Sequence, residues 1–284
     1  MSDLNLIKEL REKTGAGFLD CKNALSENNN NIEQSIDSLR KKGLAKASKK
    51  SSREANEGAI GFYNNENISV ILKINSETDF SAKSDTFLDF LDTIGNIALS
   101  TNDINLDLNG FLKVENNGKS IFDLLNEMIA KIGENLIISD LKIFDNKETK
   151  INYYIHNPYR KNIGKIISAV LYSTEEENDN VKNFSKNICM HVAASKPEAI
   201  DIDMLPAELI ENEKKIQSEI IKDSGKPSNV MEKILDGKMK KFYSEVTLLN
   251  QNFVIDTDKT IKEAISDFNL SNSFILKNYI LISL

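Results

Sequence analysis

The chain has 284 residues, 40% hydrophobic and 28% charged, with a net charge of −7. That is enough for a sizeable core and for two domains, or one domain with appendages, in the composition of a soluble globular protein. The acidic balance speaks against a general nucleic-acid binder, the early charges Asp3, Lys8, Glu9 and Arg11 against a secretory signal, and the lack of any apolar run of about 18 residues against a transmembrane helix. Cys21 and Cys189 are too few and too far apart for a disulfide framework, so a reducing cytoplasm is expected.

Residues 1–43 read as a compact three-helix unit. Leu6, Ile7 and Leu10 mark the first helix, and Gly15-Ala16-Gly17 breaks it. Phe18, Cys21 and Leu25 stripe the second at i, i+3, i+7. After the Asn28–Asn31 tract, a tolerant loop, Ile32, Ile36 and Leu39 stripe the third, with Gly43 as its expected stop. The basic stretch Lys46–Arg53 has no apolar stripe and reads as a linker.

From Gly58 the pattern becomes strand-turn-strand-helix. Ala59–Tyr63 and Ile68–Ile74 form a hairpin around Asn64–Asn67, and a helix follows from about Asp85 to Leu99. The order recurs in Ile151–Ile155, a loop through Pro158 and Gly164, Lys165–Tyr172, and a helix with Val181, Phe184, Ile188 and Val192. The two helices even close alike, Asn96–Ser100 against His191–Ser195. This points to two related α+β subdomains. Between them lie a helix over Ile121–Ile132 and a strand over Leu136–Phe144. After Pro206 come two helices, one striped by Leu209, Ile216 and Ile220, the other by Met231, Leu235, Met239, Phe242 and Val246. The turn Gly225-Lys-Pro227 joins them into a projecting antiparallel hairpin of about residues 206–248. Phe253–Ile255 and Phe274–Ile282 are late strands, with Lys259–Phe268 helical between them.

No constellation for bond-making chemistry is visible. His156 and His191 have no ligand partners at metal spacing beyond a lone Cys189-x-His191 pair, far short of four. Phosphate-loop and nucleophile-elbow patterns are lacking. No catalytic residue, cofactor or metal is expected. The stretch that stands out is Thr78-Asp79-Phe80-Ser81, which puts an acid and a large aromatic at a strand-to-helix turn. Two readings stay open. Phe80 is in phase with Phe87 and Leu91, as a core residue would be, and it also sits where a turn presents side chains to a partner.

The run Leu10-Arg-Glu-Lys-Thr-Gly-Ala-Gly-Phe-Leu-Asp-Cys-Lys-Asn-Ala-Leu25, with Ile32-Glu and Leu39-Arg-Lys-Lys-Gly43, resembles the ubiquitin-associated-like (UBA-like) N-terminal domain of bacterial translation elongation factor Ts. Thr78-Asp-Phe-Ser-Ala-Lys83 resembles that family's Thr-Asp-Phe-Val-Ala-Lys signature. Lys131-Ile-Gly-Glu-Asn135, Met190-His-Val-Ala-Ala-Ser-Lys-Pro197, Ser224-Gly-Lys-Pro227 and Gly237-Lys-Met-Lys-Lys-Phe242 follow in the family's order. The resemblance implies an α+β protein with a UBA-like domain and basic linker over 1–53, an N-subdomain over 54–148, and a C-subdomain over 149–284 that includes the hairpin. It implies a cytoplasmic guanine-nucleotide exchange factor acting on elongation factor Tu, with no direct nucleic-acid or membrane partner. Thr78, Asp79, Phe80 and Ser81 would dislodge Mg²⁺ from the partner's nucleotide site, and Arg11, Phe18, Leu19, Lys50, Ile132 and His156 would contact the partner. Phe18 and Leu19 could equally fill the small helical core, and Asn157–Asn162 looks inserted near His156. The terminal helix that some members carry is not expected here. Two rivals remain: an adaptor without exchange activity, which has no need of the Asp79-Phe80 turn, and an RNA-associated protein using Lys46–Arg53, which the net charge disfavours.

Overall fold

The structure is a computed structural model that describes residues 3–14, 16–147, 149–222 and 227–284, without the side chains of residues 3 and 44–48. Gly15 of the expected break, and Gly225 and Lys226 of the expected hairpin turn, lie outside the described residues. The fold is α+β, with three N-terminal helices followed by antiparallel strands and further helices. Two compact units divide the chain: residues up to Asn146 with Asn157–Lys165 and Leu284, and Lys147–His156 with Ile166–Ser283.

The first unit begins with helices α1 (Asp3–Thr14), α2 (Phe18–Glu27) and α3 (Ile32–Lys50). Ile7, Leu10, Cys21, Ala24 and Leu25 close a small core against Ile32, Ile36 and Leu39. Phe18, expected on the α2 stripe, stands outside this core and is exposed. Three of the asparagines joining α2 to α3 have specific roles. Asn29 and Asn30 adopt left-handed backbone at φ 51° and 60°, which asparagine tolerates better than most residues. Asn31 Oδ1 accepts from the Gln34 N–H at 3.0 Å and caps α3.

Helix α3 does not stop at Gly43 but runs to Lys50, so much of the basic stretch is helix rather than linker. The glycine serves packing instead. A Cβ there would lie 3.3 Å from the Ala130 Cβ, so its bare backbone lets α3 close on α7 (Ile121–Ile132). Arg40 reinforces the contact with an ion pair to Asp123 at 3.0 Å.

Strands β1 (Glu57–Asn64) and β2 (Ile68–Ser76) form the expected hairpin, followed by the single-turn helix α4 (Asp79–Ala82), α5 (Asp85–Thr101) and the short α6 (Leu108–Phe111). The two-residue strands β3 (Glu115–Asn116) and β4 (Lys119–Ser120) lead into α7. Strand β5 (Leu136–Asp145) then pairs antiparallel with β2 from Ile68↔Asp145 to Ser76↔Leu136. β2 lies between β1 and β5 and is buried along nearly its whole length, as its run of Ile, Val and Leu requires. Phe87, Leu91, Ile94 and Ala98 of α5 join the core over these strands. Gly95 leaves room for the Tyr63 ring, which a Cβ there would overlap. The Tyr63 hydroxyl donates to Leu91 O at 3.0 Å.

Strands β6 (Lys150–Arg160) and β7 (Ile163–Ser173) pair with each other. Pro158, expected in a loop, lies inside β6, whose one partner strand among the described residues is β7; proline is tolerated at a sheet edge because the missing N–H is not needed there. The tip of this hairpin belongs to the first unit, where Arg160 pairs with Asp85, Asp89 and Asp92 of α5 at 2.8–3.3 Å.

In the second unit, β10 (Ile275–Ser283) pairs antiparallel with β7 from Ile275↔Ser173 to Ser283↔Ile166. Helix α8 (Asp179–Ser195) follows β7 as α5 follows β2. Both helices are 17 residues long and both end in a left-handed cap, Asn102 and Lys196. Helices α9 (Ala207–Lys222) and α10 (Ser228–Val246) pack on one another. The expected α9 stripe of Leu209, Ile216 and Ile220 is its exposed face, whereas Ile221 is the buried position. Strands β8 (Asn252–Phe253) and β9 (Asp256–Thr260) form a hairpin with Val254 and Ile255 at its tip. Lys259 and Thr260 are therefore strand, and α11 (Ile261–Phe268) starts behind a Thr260/Glu263 capping box.

His191 is fully buried in this unit. Gln251 Nε2 donates to Ser195 O and Glu245 O, so its carbonyl end faces His191 Nε2 at 2.9 Å. Nδ1 accepts from the Val254 N–H at 3.3 Å. The imidazole is thus neutral, with its proton on Nε2. Burial holds it below its ordinary value, against the opposing hydrogen bond to Gln251. An unfolded histidine takes up a proton near about pH 6.5. The folded chain resists that proton, so stability should be full above that pH and fall below it. The urea midpoint should drop between about pH 7.5 and 5.5 in the wild type, and His191→Gln should remove most of that drop.

Candidate functional site

The backbone ladder between β2 and β5 ends at Ser76↔Leu136. Beyond it, two carboxylates continue the pairing. Glu77 accepts from the Asn135 N–H at 2.6 Å. Glu134 accepts from the Thr78 N–H at 3.0 Å and from the Thr78 hydroxyl at 2.7 Å. Asn135 Nδ2 donates to Arg53 O at 2.7 Å, and the Arg53 guanidinium lies 3.4 Å from Glu77. Glu134 is placed by the end of α7, where Gly133 takes the left-handed cap position at φ 91°.

Thr78 passes this restraint on. Its Oγ1 accepts from the Ser81 N–H at 3.2 Å and caps α4. Helix α4 buries Ser81 and Ala82 and turns Phe80 outward, 85% exposed. The core reading of Phe80 is therefore set aside. Its phase with Phe87 and Leu91 would matter only along one continuous helix, and the chain breaks at Ser84, whose extended backbone (φ −68°, ψ 142°) starts a new helix by capping Phe87 N. Asp79 accepts from Lys83 Nζ at 2.8 Å, and that hydrogen bond holds its carboxyl below the usual carboxylate range. Ser81 Oγ is buried and finds no partner among the described residues.

The structure brings the Thr78–Ser81 turn and the motif containing Ile132 together, through Glu134. Ile132 itself is half-buried against the core of the first unit. Lys50 joins this region, for a Cβ on Gly133 would lie 3.8 Å from its Nζ. Arg11 and Phe18 line a different concavity, with Leu4, Lys8 and Ala16, on the N-terminal helices. Phe18 is 46% exposed and Leu19 67% exposed, so neither fills the small core. His156 belongs to the second unit, where it is exposed and its Nδ1 lies 3.3 Å from Tyr154 Oη.

Glu134 and Asn135 lie in the Lys131–Asn135 motif, but the sequence assigned no role to them, nor to Arg53 or Glu77. No spacing rule relates residue 78 to residue 134; only the β2/β5 register does. Among the described residues, no group of His, Cys, Asp and Glu is placed to hold a metal ion, and no helix is long and apolar enough to cross a membrane.

A family model described as elongation factor Ts matches residues 77–281. The elongation factor Ts of Rickettsia felis is 41% identical over 272 residues, covering 94% of this chain and 87% of its own. That of Allorhizobium ampelinum is 40% identical over 262 residues, covering 92% and 85%; that of Rhizobium meliloti is 39% identical over the same length and shares. These relatives define the class as translation elongation factors. Within it, the chain belongs to the elongation factor Ts family.

Because Phe80 is exposed, Phe80→Ala should change stability by no more than about 0.5 kcal/mol, where a core phenylalanine would lose about 3–5 kcal/mol. Thermal melting of the two proteins checks this.

Proposed function

We propose that this chain binds elongation factor Tu·GDP and accelerates release of GDP during translation elongation. The observation that carries the reading is the exposed Phe80 on a turn fixed by Glu134 and Thr78. The Phe80 ring enters the GTPase beside its nucleotide site and disturbs the groups that hold Mg²⁺ and the phosphates, flanked by Thr78, Asp79 and Ser81. GDP is retained mainly through its phosphates and the ion, so loosening that region weakens the strongest local interaction. Asp79 arrives ionised and already paired with Lys83. The ring is therefore the part of the motif with most to gain from a new contact.

The chain makes and breaks no covalent bond in this role. Arg11, Phe18 and Leu19 on the N-terminal helices, Lys50 and Ile132 beside the turn, and His156 in the second unit supply further contacts. The N-terminal domain, residues 1–53, contributes affinity, so its removal weakens binding to the GTPase.

Substoichiometric protein should speed release of labelled GDP from elongation factor Tu, followed by stopped flow. A release rate independent of added protein would sink the proposal. Phe80→Ala should slow the stimulated release about 30-fold or more, as expected for an interface anchor worth about 2 kcal/mol, at a temperature where both proteins remain folded.

A further inference from the structure

Helix α4 has four residues, too few to be stable by itself. What holds it comes from outside. Thr78 is the N-cap, and both of its polar donors, N–H and Oγ–H, point to one carboxylate, Glu134. With its proton committed to Glu134, the Thr78 oxygen turns a lone pair toward the Ser81 N–H. One side chain thus fixes both the entry of the turn and its cap. Glu134 reaches this point from α7, whereas the neighbouring exchange between Glu77 and Asn135 runs in the opposite sense.

We propose that Glu134 is a positioning residue for the Asp79-Phe80 turn. It acts through Thr78, setting the direction in which the Phe80 ring leaves the surface. The part concerning nucleotide exchange rests on the function proposed above; the part concerning the turn does not.

The test compares Glu134→Ala, Glu134→Gln and wild type by amide hydrogen exchange over residues 76–86. The Thr78 and Ser81 amides should exchange about tenfold faster in Glu134→Ala, the loss of a charge-assisted hydrogen bond. Glu134→Gln should fall between, since its carbonyl still accepts the Thr78 N–H but its amide cannot accept the hydroxyl. Unchanged protection in Glu134→Ala would overturn the proposal. If the alanine variant does not fold, Glu134→Gln, which keeps the size of the side chain, carries the same comparison.

Stimulated GDP release is then measured for Glu134→Ala, Phe80→Ala and the double variant. Glu134→Ala should lower the maximal rate about tenfold with little change in melting temperature. The double variant should be no slower than Phe80→Ala alone, because Glu134 has nothing left to position. A double variant slower by the product of the two losses would show that Glu134 acts elsewhere and would overturn the proposal. Phe80→Ala behaving as wild type would instead remove the exchange reading, while the amide data still decide whether Glu134 holds the turn.

Discussion

The pairing of β2 with β5 is the constraint from which the candidate site follows. The two strands run antiparallel and stop together, so the residues after one lie beside the residues before the other. That places Glu77 and Thr78 against Glu134 and Asn135, and the two acids then satisfy N–H groups the ladder no longer serves. Asn135 is buried, where a backbone donor left without a partner is costly; Thr78 is exposed, and there Glu134 supplies a fixed partner in place of water. Glu77 removes that cost at Asn135, and Glu134 restrains the chain at the point where α4 begins. The exposed aromatic is thus anchored to the most buried strand of the unit by two hydrogen-bonded steps, through Glu134 and Thr78.

Much of this fold was legible because its elements carry strong periodic signals. The β-formers of Ile68–Ile74 announced a strand, the apolar face after Asp85 a helix, and Ile121–Ile132 a helix whose ends are as expected. The readings that failed took a local cue as evidence of what a residue packs against. Gly43 resembled a helix stop but is a close-approach residue against Ala130. Leu209, Ile216 and Ile220 are helically spaced, yet periodicity says only that residues share a face, not which face is covered. Phe80 was in phase with Phe87 by number alone, because a cap at Ser84 resets the helix between them. The motif at 78–81 was visible, and its support from residue 134 was not.

Helix α7 links the separate parts of the first unit. Its outer side receives α3 through the Gly43–Ala130 approach and the Arg40–Asp123 pair. Its C-terminal cap delivers Glu134 to Thr78 and Asn135 to Glu77 and Arg53. Arg53 follows the end of α3, so the exit from the N-terminal helices and the entry to the turn are fixed by consecutive residues, 134 and 135. The orientation of the N-terminal helices within this unit and the pose of Phe80 therefore share one rigid support.

Under the proposed function, the labour of exchange divides by magnitude. Burying one phenylalanine side chain yields about 1.5–3 kcal/mol, a factor of roughly 10 to 150 in an equilibrium constant. Fixing the turn beforehand keeps that yield from being lost to ordering on encounter. By reciprocity, whatever weakens GDP on the partner weakens the factor by the same ratio when GDP is bound. The turn therefore works against its own binding, and a ring of this size cannot also hold the complex together. Under the proposed function that task falls to surfaces remote from the nucleotide, among them the α1–α2 concavity lined by Arg11 and Phe18. Affinity held there, and disturbance confined to one pre-formed turn, is the arrangement in which a factor can remain bound while GDP leaves.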